Sequence, residues 1–105
     1  MKTRQAHWTS REASIAAPRR RPDIIEDGLD NEAILLDRQN GNTYRLNQTA
    51  LEIWRRCDGC TTTRTIARRM AEVYEVDFDT ALDDVEQVIA KFVESGMCLR
   101  ASRIW

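Results

Sequence analysis

The sequence is short of most of what covalent catalysis or metal binding requires. It contains one histidine, His7, and that residue has no ligand-spaced neighbour. There is no Gly-x-Ser-x-Gly elbow and no glycine-rich phosphate loop. Three cysteines, an odd number, make no disulfide framework. No apolar run approaches the ~18–20 residues of a membrane span. Lys2 and Arg4 are followed by no apolar stretch of the kind a secretion signal carries. A chain of 105 residues holds about one domain, with little room to enclose a substrate. These absences point to a soluble, cytosolic protein with reduced thiols, no membrane partner, no cofactor, no metal and no catalytic residue.

What is present is unevenly charged. The formal net charge is -1. Residues 1–22 carry six basic side chains against Glu12 alone, or +5, and residues 23–105 carry ten basic against sixteen acidic, or -6. The first 19 residues show no helical or strand period, and Trp8 and Ile15 are their only large apolar residues. Such a segment buries too little surface to offset its ordering entropy, so residues 1–19 are predicted to be a mobile basic arm.

Beyond the arm the pattern is β-rich, then helical. Ile24 and Ile25 begin a first strand, Glu32–Asp37 reads as a second, and Asn42–Leu46 as a third. Asn40-Gly41 between the last two is a hairpin signal, because both residue types tolerate positive φ. On the third strand Tyr44 and Leu46 share one face, Thr43 and Arg45 the other. Asn47 is a helix N-cap, with Leu46 and Leu51 placed for a hydrophobic staple. Ala50, Leu51, Trp54 and Cys57 line that helix until Asp58-Gly59 stops it. Thr62 caps a second helix with Ile66, Ala67, Met70, Val73 and Tyr74 inward. Asp77 or Asp79 caps a third, on which Ala81, Leu82, Val85, Val88, Ile89, Phe92 and Val93 repeat at helical spacing. Gly96 closes it, and Met97-Cys98-Leu99 is a short apolar end. The order predicts an α+β, winged-helix-like domain: a three-stranded antiparallel meander followed by three helices.

Three groupings are candidates for function. Cys57 and Cys60 match C-x-x-C, with Cys98 as a third sulfur. They sit in no βαβ context, and a closed zinc site needs a fourth ligand. The plainer reading makes Cys57 a small core residue and Cys60 an exposed turn residue. Arg55, Arg56, Arg64, Arg68 and Arg69 surround a helix–turn–helix joint, and a DNA-binding regulator is the alternative function they suggest. The acidic body disfavours nucleic acid as a partner. Last, an edge strand beside an amphipathic helix leaves a groove able to take an extended peptide.

The run Glu32–Asp37, then Tyr44-Arg45-Leu46-Asn47-Gln48-Thr49-Ala50, Ile53-Trp54 and Cys57-Asp58-Gly59, resembles the PqqD family. The family is named for the pyrroloquinoline quinone biosynthesis protein D. Thr62, Ile66, Tyr74, Asp84-Val85, Phe92 and Gly96 continue the resemblance, which spans about residues 20–99 and leaves 100–105 as a tail. Cys57 matches the family, whereas Cys60 replaces the polar or charged residues usual there. The resemblance implies the winged-helix-like fold called the RiPP recognition element. It implies a non-catalytic chaperone that binds the leader of a ribosomally made precursor peptide and presents it to a modifying enzyme, often a radical SAM enzyme. The leader is implied to add to the third strand, against the third helix. On this chain that places Thr43, Tyr44, Arg45 and Leu46 on the strand side, with Leu82, Val85, Glu86 and Ile89 as candidates on the helix side. Asp83, Asp84 and Glu86 would favour a basic leader.

Overall fold

The computed structural model describes residues 17–101, with side chains described through Leu99. Among the described residues five strands and three helices follow one another. They are β1 (Ala17–Arg20), β2 (Ile24–Leu29), β3 (Glu32–Asp37), β4 (Thr43–Leu46), α1 (Gln48–Arg55), α2 (Thr63–Tyr74), α3 (Phe78–Glu94) and β5 (Cys98–Ala101). β2, β3 and β4 form an antiparallel sheet in that order, and β1 pairs with β5 in a separate two-stranded sheet. The expected α+β meander and three helices are therefore present, and winged helix describes them loosely.

The meander folds because its second strand alternates. Ala33 and Leu35 are buried on the inner face, and Leu46 and Tyr44, their register partners on β4, lie on that face with them. The β3–β4 hairpin is looser than Asn40-Gly41 suggests. Asp37 N–H donates to Asn42 O and Asp37 O accepts from Gly41 N–H, leaving four loop residues, of which Gly41 alone takes positive φ (+77°). The first two helices start on the expected caps, and the third starts on Asp77, one of the two candidates. Asn47 Oδ1 accepts from Ala50 N–H at 2.9 Å, Thr62 Oγ1 from Thr65 N–H at 3.1 Å, and Asp77 Oδ1 from Thr80 N–H at 2.8 Å. At the end of α3, Gly96 (φ +80°) donates to Val93 O and Met97 donates to Phe92 O, the paired bonds of a Schellman stop.

The core lies between the inner sheet face and the helices. Leu35, Ile53, Ile66, Val85 and Ile89 are fully buried there, and Trp54 meets Phe92 edge to face at 5.3 Å. On α2, Ile66, Ala67 and Met70 are inward as expected, but Val73 and Tyr74 are exposed. The buried stripe ends there because the chain leaves α2 through Glu75, in the left-handed conformation.

The boundaries at the two ends of the domain differ from those expected. Residues 17–19, assigned to the arm, and 100–101, assigned to the tail, belong to the β1–β5 ladder, in which Arg20 faces Cys98 and Ala17 faces Ala101. Arg20 and Arg21, counted in the basic N-terminal segment, are structural. Arg20 Nη1 donates to Trp54 O and Arg55 O at 3.0 and 2.7 Å, capping the carbonyl end of α1. Arg21 binds both oxygens of the buried Asp37 at 3.0 Å, both oxygens of Asp23, and Gly96 O. The rest of the arm, with His7, Trp8 and Ile15, and the last residues, with Ile104 and Trp105, lie outside the described residues. Residues 1–16 carry Lys2, Arg4 and Arg11 against Glu12, so their excess positive charge is only +2.

Candidate functional site

β4 is an edge of its sheet, and its pairing decides which backbone groups are free. In an antiparallel pair, hydrogen-bonded and non-bonded residue pairs alternate. Asp37 and Asn42 are a bonded pair, so the pairs Leu35–Tyr44 and Ala33–Leu46 are bonded too. Thr43 and Arg45, in the alternate positions, therefore turn their N–H and C=O groups outward. Each offers one donor and one acceptor along the open edge.

That edge faces α3 across a groove of about 790 Å³. Thr43, Tyr44, Arg45 and Leu46 form one wall, and Asp84, Gln87, Val88, Lys91 and Ser95 the other. Phe92 and Met97 close the floor, and Asn47, Thr49 and Ala50 at the start of α1 close one end. The walls run in opposite directions. Arg21 joins Gly96 O, at the end of α3, to Asp37, which lies opposite Asn42. Thr43 is therefore near the Ser95 end of α3, and Leu46 near the Asp84 end.

All four strand-side candidates line the groove. The four helix-side candidates do not. Val85 and Ile89 are fully buried in the core, and Leu82 and Glu86 are half-buried outside the groove lining. At about 100° per residue, Val88 lies about 60° round the helix from Val85. The apolar stripe of α3 is wide enough to serve both core and groove, and its centre belongs to the core. Asp84 is one of the acids expected to favour a basic leader, whereas Gln87, Lys91 and Ser95 are not among the expected groove residues. Their spacing from Val88 was the available signal, since they share its side of the helix.

The groove is polar at its rim and open to water. Asp83 Oδ2 accepts from Gln87 Nε2 at 2.9 Å, leaving the Gln87 carbonyl oxygen available. Arg45 lies 3.4 Å from Glu32, with three quarters of its side chain exposed, so that pair holds it loosely. Behind the groove, hydrogen bonds from Arg21 hold the Asp37 and Asp23 carboxyls below the usual carboxylate range.

The three thiols do not form one site. Cys57 and Cys98 are buried and Cys60 is exposed. A hydrogen bond with Cys98 and burial push the Cys57 thiol well above its ordinary value, which leaves it a poor nucleophile. Among the described residues no three His, Cys, Asp or Glu side chains are grouped as metal ligands. Also among them, no helix is long and apolar enough to cross a membrane. Three of the five arginines near the helix–turn–helix joint are engaged: Arg55 with Glu26 at 2.6 Å, Arg56 with Glu52 at 2.7 Å, and Arg64 over the Phe78 ring.

Residues 32–97 match the family described as coenzyme PQQ synthesis protein D. The chain belongs to the PqqD family. Among solved structures, this PqqD-family chain is similar to a lasso peptide synthetase B1 complexed with its leader peptide. That match has 31% identity and a TM-score of 0.71, over 80% of this chain and 99% of the other. It also shares its fold with TbiB1 in complex with the TbiA(beta) leader peptide, at 19% identity and a TM-score of 0.70, over 76% and 93% of the two chains. The PqqD truncation of Methylobacterium extorquens PqqCD, a stand-alone RiPP recognition element, has the fold too, at 20% identity and a TM-score of 0.65, over 85% and 98%. No curated protein matches the chain.

Proposed function

We propose that this PqqD-family chain is a non-catalytic chaperone for a ribosomally made precursor peptide. The leader adds to β4 as a fourth strand of the sheet and lies against α3. The open β4 edge facing α3 carries this reading, and the 31% identical lasso synthetase B1, complexed with a leader peptide, supports it. Thr43 and Arg45 supply main-chain bonds, Tyr44 and Leu46 pack beside the new strand, and Val88 with Gln87 meets its inward side chains. Leu82 and Glu86 flank that surface, and Val85 and Ile89 hold α3 in place from beneath.

The energetics show why both walls are needed. Main-chain bonds to two edge residues contribute about 0.5–1.5 kcal/mol each. Ordering a disordered segment costs about 2–5 kcal/mol. The edge alone is close to break-even, so affinity and selectivity come from the side chains of the groove. Binding raises the local concentration of the core peptide at a modifying enzyme in the cytoplasm. A radical SAM enzyme is the class that the family resemblance implies.

Calorimetric titration of candidate precursor peptides tests this. A leader segment should bind, and Val88→Asp should weaken it about tenfold or more, by placing a charge where an apolar contact is made. Absence of binding by every leader segment encoded beside the gene would refute the proposal. Val85→Asp is not a suitable probe, because it charges the core.

A further inference from the structure

The α3 wall of the groove carries opposite charges at its two ends. With the Arg21 bridge setting the orientation of the walls, Asp84 lies towards the Leu46 end of the groove and Lys91 towards the Thr43 end, with Val88 between them. Among the described residues neither Asp84 nor Lys91 has an ion-pair partner, and both line the groove.

The spacings match those of a strand. Asp84, Val88 and Lys91 are separated by about 6 Å and then about 4.5 Å along the helix axis, at about 1.5 Å per residue. Side chains on one face of a strand recur every ~6.7 Å. Three successive inward side chains of an added strand therefore come opposite Asp84, Val88 and Lys91. The flexible lysine stem makes up the small shortfall at its end. Outward side chains of that strand fall on the other face, beside Thr43 and Arg45.

Direction follows from the edge. Antiparallel pairing is slightly the more stable arrangement, and β4 already pairs that way with β3. A strand antiparallel to β4 enters at the Leu46 end and leaves at the Thr43 end. It meets Asp84 first and Lys91 last.

We propose that the groove reads the charge polarity of its peptide. It selects an extended segment with a basic residue, then two positions on an apolar residue, then two further on an acidic residue, from N- to C-terminus. This rests on the leader-binding reading of the same groove. It replaces a general preference for basic leaders by a directional one, since the cation at Lys91 repels positive charge at the far end.

Two fluorescent peptides of one composition separate the cases, one built around Lys-Thr-Leu-Thr-Glu and the other around Glu-Thr-Leu-Thr-Lys, each flanked by Thr-Ser repeats. Anisotropy titration of the full chain at low salt should favour the first by about fivefold, and salt should shrink the difference. The double variant Asp84→Lys/Lys91→Glu should reverse the preference while leaving the circular dichroism spectrum and melting midpoint near wild type, since both residues are exposed. Equal binding of both peptides, or a preference for the second, overturns this inference and leaves strand addition standing. If neither peptide binds, strand addition at this edge falls, and the inference with it.

Discussion

Replacing Arg45 by proline isolates the main-chain part of peptide binding. Arg45 N–H points away from β3, so proline there removes no bond of the existing ladder. Edge strands accept proline when the lost N–H faces outward. The side chain is 76% exposed and its partner Glu32 57% exposed, so loss of that pair changes stability little. What disappears is one donor to the added strand, about 0.5–1.5 kcal/mol, or roughly two- to twelvefold in Kd. The ring adds steric hindrance on the side from which the peptide approaches. Arg45→Ala is the control for the side chain and should bind within about threefold of wild type. Tyr44→Pro is the opposite control: its N–H is used by β3, so it should lower the melting midpoint clearly. The assay is leader titration alongside thermal melting. If Arg45→Pro stays folded and binds as tightly as Arg45→Ala, the peptide does not use the β4 edge.

Acid titration and thiol labelling test the frame around the groove. Asp23 and Asp37 have depressed folded pKa values, so their ion pairs with Arg21 stabilise the protein above the usual value of 3.8 and fade as pH falls through the folded values. Arg21→Ala should therefore melt well below wild type at neutral pH, and the gap should begin to narrow below about pH 4 and close only below the depressed folded values; a gap that stays constant into acid would refute the assignment. A thiol reagent should label Cys60 rapidly in the native protein, and Cys57 and Cys98 only on unfolding. Rapid labelling of Cys57 would mean that the turn after α1 opens readily.

Local signals were legible before the fold was known. Alternation on β4 puts Tyr44 and Leu46 on one face, and the caps Asn47, Thr62 and either Asp77 or Asp79, with the stop at Gly96, mark the helix limits. Non-local arrangements were not. Pairing of β1 with β5 joins Ala17 to Ala101, and no short-range pattern encodes a contact at that separation. The role of Arg21 depends on bringing Asp23, Asp37 and Gly96 together, so in the sequence it reads as one more basic residue of the first 22. On α3 the period revealed an apolar face but not which part of it the sheet covers. That is why the expected helix-side residues include Val85 and Ile89, which lie in the core, and omit Val88 and Lys91, which line the groove.

The division of α3 into two sides has a consequence for how recognition can change. Val85, Ile89 and Phe92 carry the packing, whereas Asp84, Gln87 and Lys91 are exposed. Exchanges at the exposed positions cost little folding free energy. The helix can thus be rewritten on one side for a new peptide while the scaffold is inherited intact. On the proposed leader-binding function, grafting a few residues of one helix would retarget the groove, leaving the rest of the domain unaltered.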